Sequence, residues 1–276
     1  MKSLISAEFY KLFKQTKTYY AIVALFVIEA IVLISAYYQG STIIDVLLDN
    51  LKETFYFEGD LLNGNLLIYL ILNTLWFHLP LILMIVVSGT LTSEYKDRTL
   101  QAMMMQPVNK VKFILSKYIV ATIFTAIIVL VLALTSFGLS YVFFGKGDLI
   151  VYLDTLNFFE TEEAFSRLIW AFVVGVFSMI FFSLASLTLA VFFKEATKTW
   201  IVSVFFLIFC NLLLKVDFGA GWWNDLFFVK LNDTWQYLFY FEIDWNKIML
   251  NILLLILYSG LFAGVGTYYF KKTDIE

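Results

Sequence analysis

Apolar residues run along this chain in long unbroken stretches, and six of them approach or exceed the length needed to cross a bilayer. A helix rising about 1.5 Å per residue needs about 20 residues to traverse a hydrocarbon core roughly 30 Å thick. The windows fall at about 19–38, 66–91, 113–144, 168–193, 199–214 and 248–270. The third is long and the fifth short.

Three segments outside these windows carry a different pattern. In 2–17, Phe9, Leu12 and Phe13 stand at i, i+3, i+4 spacing with Lys11, Lys14 and Lys17 interleaved. That pattern predicts an amphipathic elbow helix lying in the interface with its lysines reaching phosphates, a helical extension of the first span being the alternative. In 92–112, Leu100, Met103 and Met104 repeat the same spacing, and Gln106-Pro107 follows. They predict a short helix over 99–105, stopped because the residue before proline avoids the helical region. In 215–247, Trp222, Trp223, Phe227, Phe228, Trp235, Tyr237, Phe239, Tyr240 and Phe241 are too apolar for a free loop and predict a re-entrant or interfacial segment. The predicted fold class is an all-α membrane protein: six transmembrane helices, an N-terminal elbow, a helix in the first basic loop, and an outer aromatic segment before the last span.

Composition agrees. The chain is 61% hydrophobic, 19% aromatic and only 15% charged, against about 25% charged in an ordinary soluble domain. Charge then orients the spans. Of the 19 Lys and Arg, 13 lie in segments on the side of the N-terminus: Lys2, Lys11, Lys14, Lys17, Lys96, Arg98, Lys110, Lys112, Lys117, Lys194, Lys198, Lys271 and Lys272. The positive-inside rule makes that side cytoplasmic, with both termini on it, as an even number of spans requires. The opposite loops are acidic, with Asp45, Asp49, Glu53, Glu58 and Asp60, then Asp148, Asp154, Glu160, Glu162 and Glu163, then Asp217, Asp225, Asp233, Glu242 and Asp244. A solvated face explains them better than cation capture.

Little in the sequence supports bond chemistry. The lone Cys210 allows no intrachain disulfide, His78 has no second ligand at metal-binding spacing, and no phosphate-binding loop occurs, so neither a bound metal nor a bound nucleotide is expected. Glu29 lies near the middle of the first span, where a carboxylate must be protonated, paired or wet; Asn73, His78 and Asn211 are its candidate partners along a polar path. Pro80 interrupts the second span's hydrogen-bond ladder and predicts a kink. Gly260 and Gly264, with Gly266 following, give the last span a smooth strip for close helix packing, within the bundle or against another copy.

The order of features in the first basic loop resembles a known family. Glu94-Tyr95-Lys96, Arg98, Thr99-Leu100, the Met103-Met104 helix, Pro107-Val108, Lys110 and then Lys117 is similar to the first cytoplasmic loop of ABC-2 type transporter permeases. So is the ending Tyr268-Tyr269-Phe270-Lys271-Lys272-Thr273-Asp274. Arg98 stands where such proteins often carry glycine, and Lys110 follows Asn109 where they often carry arginine. The resemblance implies the permease subunit of an exporter in a bacterial inner membrane. Its loop would be a coupling helix meeting two copies of a separate ATP-binding subunit, which would hold ATP and Mg. A second copy or a paralogue would complete the bundle, and no nucleic acid would be involved. A hydrophobic, lipid-like or peptide cargo suits the apolar spans. Two other readings stand beside it: an ATPase-coupled anchor that transmits work to an extracytoplasmic protein without passing cargo, and a proton-coupled secondary transporter using Glu29.

Overall fold

In lipid, backbone N–H and C=O groups must be satisfied within the segment, so each long apolar run closes on itself as a helix. The computed structural model describes residues 1–52, 62–153, 155–214, 216 and 226–273, with side chains of the first stretch through residue 40. Helix α1 (Lys2–Lys14) precedes α2 (Thr16–Lys52), α3 (Gly64–Lys96), the short α4 (Thr99–Met104) and α5 (Lys110–Phe144). A hairpin of β1 (Leu149–Leu153) and β2 (Thr155–Phe159) leads to α6 (Thr161–Phe193) and α7 (Ala196–Leu214). The small α8 (Phe228–Leu231) and a 3-10 turn (Thr234–Phe239) come before α9 (Trp245–Lys272). Among the described residues six helices are long and apolar enough to cross a membrane: α3, α5, α6, α7, α9 and the Thr16–Gly40 part of α2, which is irregular at Gln39.

Helix α6 is the axis of the bundle. It packs against α3, α5, α7 and α9, and 67% of its most apolar window is buried, against 22% for α2, α7 and α9. Its row Ser183, Ser186 and Ala190 is fully buried, with Ser183 Oγ 2.8 Å from Thr125 Oγ1 of α5. Helix α3 continues through the buried Pro80 and on to Lys96, beyond the apolar window, so the basic loop begins later than its hydropathy indicates. At α9 the glycines divide. A Cβ on Gly266 would meet the Tyr118 hydroxyl at 1.9 Å, whereas Gly260 and Gly264 have nothing within 4 Å. The close packing expected of Gly260 and Gly264 therefore falls to Gly266 within this chain, because the other two point out of the bundle.

The end of the bundle opposite α4 holds what the sequence did not predict. The outer loop after α5 is an antiparallel hairpin, in register from Leu149↔Phe159 to Leu153↔Thr155. Period-2 alternation buries Leu149, Val151, Asn157 and Phe159 and leaves Tyr152 and Phe158 exposed. Beside it, the segment before α9 folds back into the bundle with Val229, Leu231, Trp235, Leu238 and Phe239 buried. Trp76 Nε1 and Ser178 Oγ both donate to the Asn232 carbonyl, at 3.2 and 3.0 Å. Trp76 lies twelve residues into α3, about 18 Å along it at 1.5 Å per residue, so the contact is deep. Gly175 makes room for the indole, which a Cβ there would meet at 2.1 Å. Arg167 closes this end. Its guanidinium donates to the carbonyls of Leu238, Tyr240 and Phe241 at 2.6, 2.7 and 3.2 Å and to Glu163 Oε1, and lies 4.2 Å from the centre of the Phe159 ring. Residues Glu53, Glu58, Asp60, Asp154, Asp217, Trp222, Trp223 and Asp225, and the side chains of Asp45 and Asp49, lie outside the described residues.

Candidate functional site

At the basic end, four charged side chains from three helices meet in one knot. Helix α1 turns inward a face containing Glu8 and Leu12, one helical turn apart. Lys11 Nζ lies 2.8 Å from Glu8 Oε1 and 2.8 Å from Glu94 Oε1 at the end of α3. Lys117 Nζ of α5 lies 2.5 Å from Glu8 Oε2 and 3.0 Å from Glu94 Oε2, and donates to the Thr90 carbonyl at 3.2 Å. Glu8, Glu94 and Lys117 are all buried. Burying one such charge alone costs several kcal/mol, and two carboxylates facing two ammoniums offset that cost only while all four are present. Burial pushes the Glu8 carboxyl up, but Lys117 and Lys11 more than counter it and hold it below the ordinary glutamate range. Burial likewise lowers Lys11, and its bonds to Glu8 and Glu94 outweigh that and raise it.

The knot extends to the short helix. Lys11 Nζ is 3.7 Å from Met103 Sδ of α4, and Leu100, 1% exposed, seats α4 in the core. Glu94 and Leu100, expected to face a partner, thus turn into their own chain: a six-residue helix cannot hold its place without burying an anchor, and Glu94 is held by two lysines. Met103 and Met104 pack half-buried beside them. Lys96, Arg98, Thr99, Ala102, Met105 and Pro107 face outward. Arg98 has φ of 55°, the left-handed conformation that glycine adopts freely and that costs another residue roughly 1–2 kcal/mol. Lys110 Nζ donates to the Thr273 carbonyl at 3.2 Å, and Phe113 meets the Phe270 ring, which ties the end of α9 to the start of α5. On α1, Phe9 stacks on Phe13, Phe13 meets Phe124 edge-on, and Lys14 lies over the Tyr10 ring.

The polar residues of the spans do not converge. Glu29 is fully buried and accepts from Thr135 Oγ1 of α5 at 2.9 Å, a partner not foreseen. The three expected partners each bond back to their own helix: Asn73 to the Tyr69 carbonyl, His78 to that of Thr74, and Asn211 to that of Leu207. Asn73 and His78 are exposed on the side of α3, where lipid or another subunit would lie. No group of metal-binding side chains occurs among the described residues.

Two members of the knot, Glu8 and Lys117, were missed as site residues by sequence reading. The signal was there: Lys117 falls five residues into the apolar window that begins at 113, where an embedded ammonium demands a partner. Comparison with known proteins gives no match among curated proteins. The profile of the family described as ABC-2 family transporter protein matches residues 4–211, from the first turn of α1 through nearly all of α7. A six-span bundle with that match over most of its length belongs to the ABC-2 transporter family, and the chain is an ABC-2 type permease, the membrane subunit of an ABC transporter.

Proposed function

We propose that this permease forms half of the membrane part of an ATP-driven exporter in a bacterial inner membrane, with both termini cytoplasmic. Two copies of a separate ATP-binding subunit, holding ATP and Mg, dock on the outward residues of α4 and its flanks, and a second copy or paralogue of this chain completes the pore. The observation that carries this reading is the knot. It joins α1, α3 and α5, and Lys11 reaches α4 as well, so a displacement of α4 is felt at once by the elbow and by the second and third spans. Nucleotide-driven closure of the ATPases supplies the differential affinity that selects between two arrangements of the bundle. The predominantly apolar spans suit a hydrophobic, lipid-like or peptide cargo. A second reading, force transmission to an extracytoplasmic protein without cargo, is favoured by the aromatic segment packed across the opposite end.

The test is co-purification with the ATP-binding protein encoded beside this chain. Ala102 on α4 and Met105 at its C-terminal cap are exposed, so Ala102→Asp with Met105→Asp alters the docking face without entering the core. The ATPase is expected to elute with the wild type and to be lost from the double variant while the thermal unfolding midpoint is unchanged. An intact wild type that captures no ATPase overturns the reading.

A further inference from the structure

A groove of about 500 Å³ runs between α5 and α6 on the outside of the bundle, and no polar side chain lines it. It extends from Ala126 to Phe137 on α5 and from Phe165 to Val176 on the antiparallel α6, a rise of eleven residues along each. At 1.5 Å per residue that is about 16 Å, the depth of one leaflet of a roughly 30 Å core. Leu130, Leu134, Ile169 and Val173 on its rim are exposed, so it opens sideways to lipid. The volume lies in the range of sites that hold a single small ligand, about 300–1,000 Å³. The floor at the hairpin end is built of rings, with Phe137 5.4 Å from Phe165 and 5.9 Å from Phe172.

A cation stands at the mouth. Helix α5 ends at Gly145, with φ of 67° and ψ of −177°, a conformation essentially confined to glycine. Its N–H donates to the Tyr141 carbonyl at 3.1 Å and its own carbonyl accepts from Gly64 N at 2.9 Å, so the turn is fixed to both α5 and α3. The turn sends Lys146 back over the groove, Nζ lying 5.7 Å from the Phe165 ring centre and 5.8 Å from that of Tyr141. Lys146 pairs with Glu162 at 3.8 Å, both side chains more than half exposed. A pair so exposed is worth at most about 1 kcal/mol and yields readily to another anion.

From the leaflet-long apolar groove and the ammonium fixed at its mouth, we infer that the α5–α6 groove binds one phospholipid from the leaflet at the hairpin end, an acyl chain between the helices and the phosphate on Lys146. The occupant is a resident lipid of the bilayer and not the cargo. The site requires neither nucleotide nor a partner subunit, so its failure leaves the coupling reading untouched.

The experiment titrates the full-length chain in detergent with palmitoyl-oleoyl phosphatidylglycerol and, separately, with dioleoylglycerol, which has acyl tails but no phosphate, and counts bound lipid by native mass spectrometry. One tightly held phosphatidylglycerol per chain is expected. Ala133→Trp fills the groove and should weaken both lipids about tenfold or more, and Val173→Trp, from the other wall, should do the same. Ile208→Trp on the exposed face of α7 is the control for added bulk and should change neither. Lys146→Ala should weaken phosphatidylglycerol about fivefold, the worth of one lysine near an anionic lipid, and leave dioleoylglycerol unchanged. Equal binding to wild type and to both groove-filling variants overturns the site, as does a wild type that retains no lipid. An equal effect of Lys146→Ala on both lipids overturns the phosphate contact.

Discussion

The two ends of the bundle are held by different means. At the basic end, α1, α3 and α5 meet around a knot of side-chain charges, two carboxylates and two ammoniums drawn from three helices, with a single bond to a backbone carbonyl, from Lys117 to Thr90, among them. At the hairpin end, Arg167 donates to three backbone carbonyls, and Trp76 and Ser178 hold a fourth. Side-chain ion pairs can exchange partners while staying neutral, so the elements they join can shift as whole helices. Bonds to several carbonyls of one segment fix the path of the main chain itself. The contrast teaches that ion pairs can join helices without fixing the main chain between them, whereas bonds to carbonyls fix it.

The comparison can be broken most directly at Lys117. Lys117→Ala leaves Glu8 and Glu94 buried together with only the half-exposed Lys11, and should cost about 3–5 kcal/mol of stability. Amide exchange should rise across Lys2–Lys14 and leave 228–239 protected. Unchanged protection of α1 would show that apolar packing around Leu12, and not charge, holds the elbow. Arg167→Ala is the matching cut at the other end. It orphans carbonyls and should cost about 2–3 kcal/mol, with exchange rising in the segment before α9 while α1 stays protected. Equal loosening of both ends would mean that the bundle opens as one unit.

The smallest effect sharpens the contrast through pH. Glu8 is held below its ordinary value near 4.5, so its contribution is full above that value and is lost as pH falls through the lowered one. Asp233 behaves oppositely. Burial pushes its carboxyl up to about 6, with Lys230 pulling partly back, so its contribution is present below the ordinary 3.8 and is lost as pH rises through about 6. Acid below about 4.5 should therefore loosen α1, whereas passing from about pH 4 to about pH 8 should loosen the Asp233 segment alone, and Asp233→Asn should abolish only the second change. Exchange measured across that range in both segments checks the signs.

Much of this architecture was legible in the sequence because the membrane enforces it. Six apolar windows became six long helices, and the order of residues from Glu94 to Lys117 pointed to the family. Directions were harder to read. Periodicity grouped Leu100 with Met103 and Met104 but could not say whether that face meets a partner or the chain's own core. The hairpin escaped because Leu149–Leu153 and Thr155–Phe159 are too short to separate from an apolar loop, and Phe159 is buried against the nearby Arg167 and against Phe239, which lies far along the chain. Glu29 was legible as a buried acid, but Thr135, a residue ordinary in any helix, gave no sign of being its partner.

Between α1 and α2 stands a single non-helical residue, Gln15, extended at φ −72° and ψ 126°. Two soft dihedrals are all that link the helices through the backbone there, and Thr18 Oγ1 donates to the Leu12 carbonyl across the gap at 2.6 Å. The elbow is thus a lever on a universal joint. It can tilt about that residue without unwinding the first span, and how stiffly it is held depends on the side chains that grip it, Glu8 and Lys11 foremost.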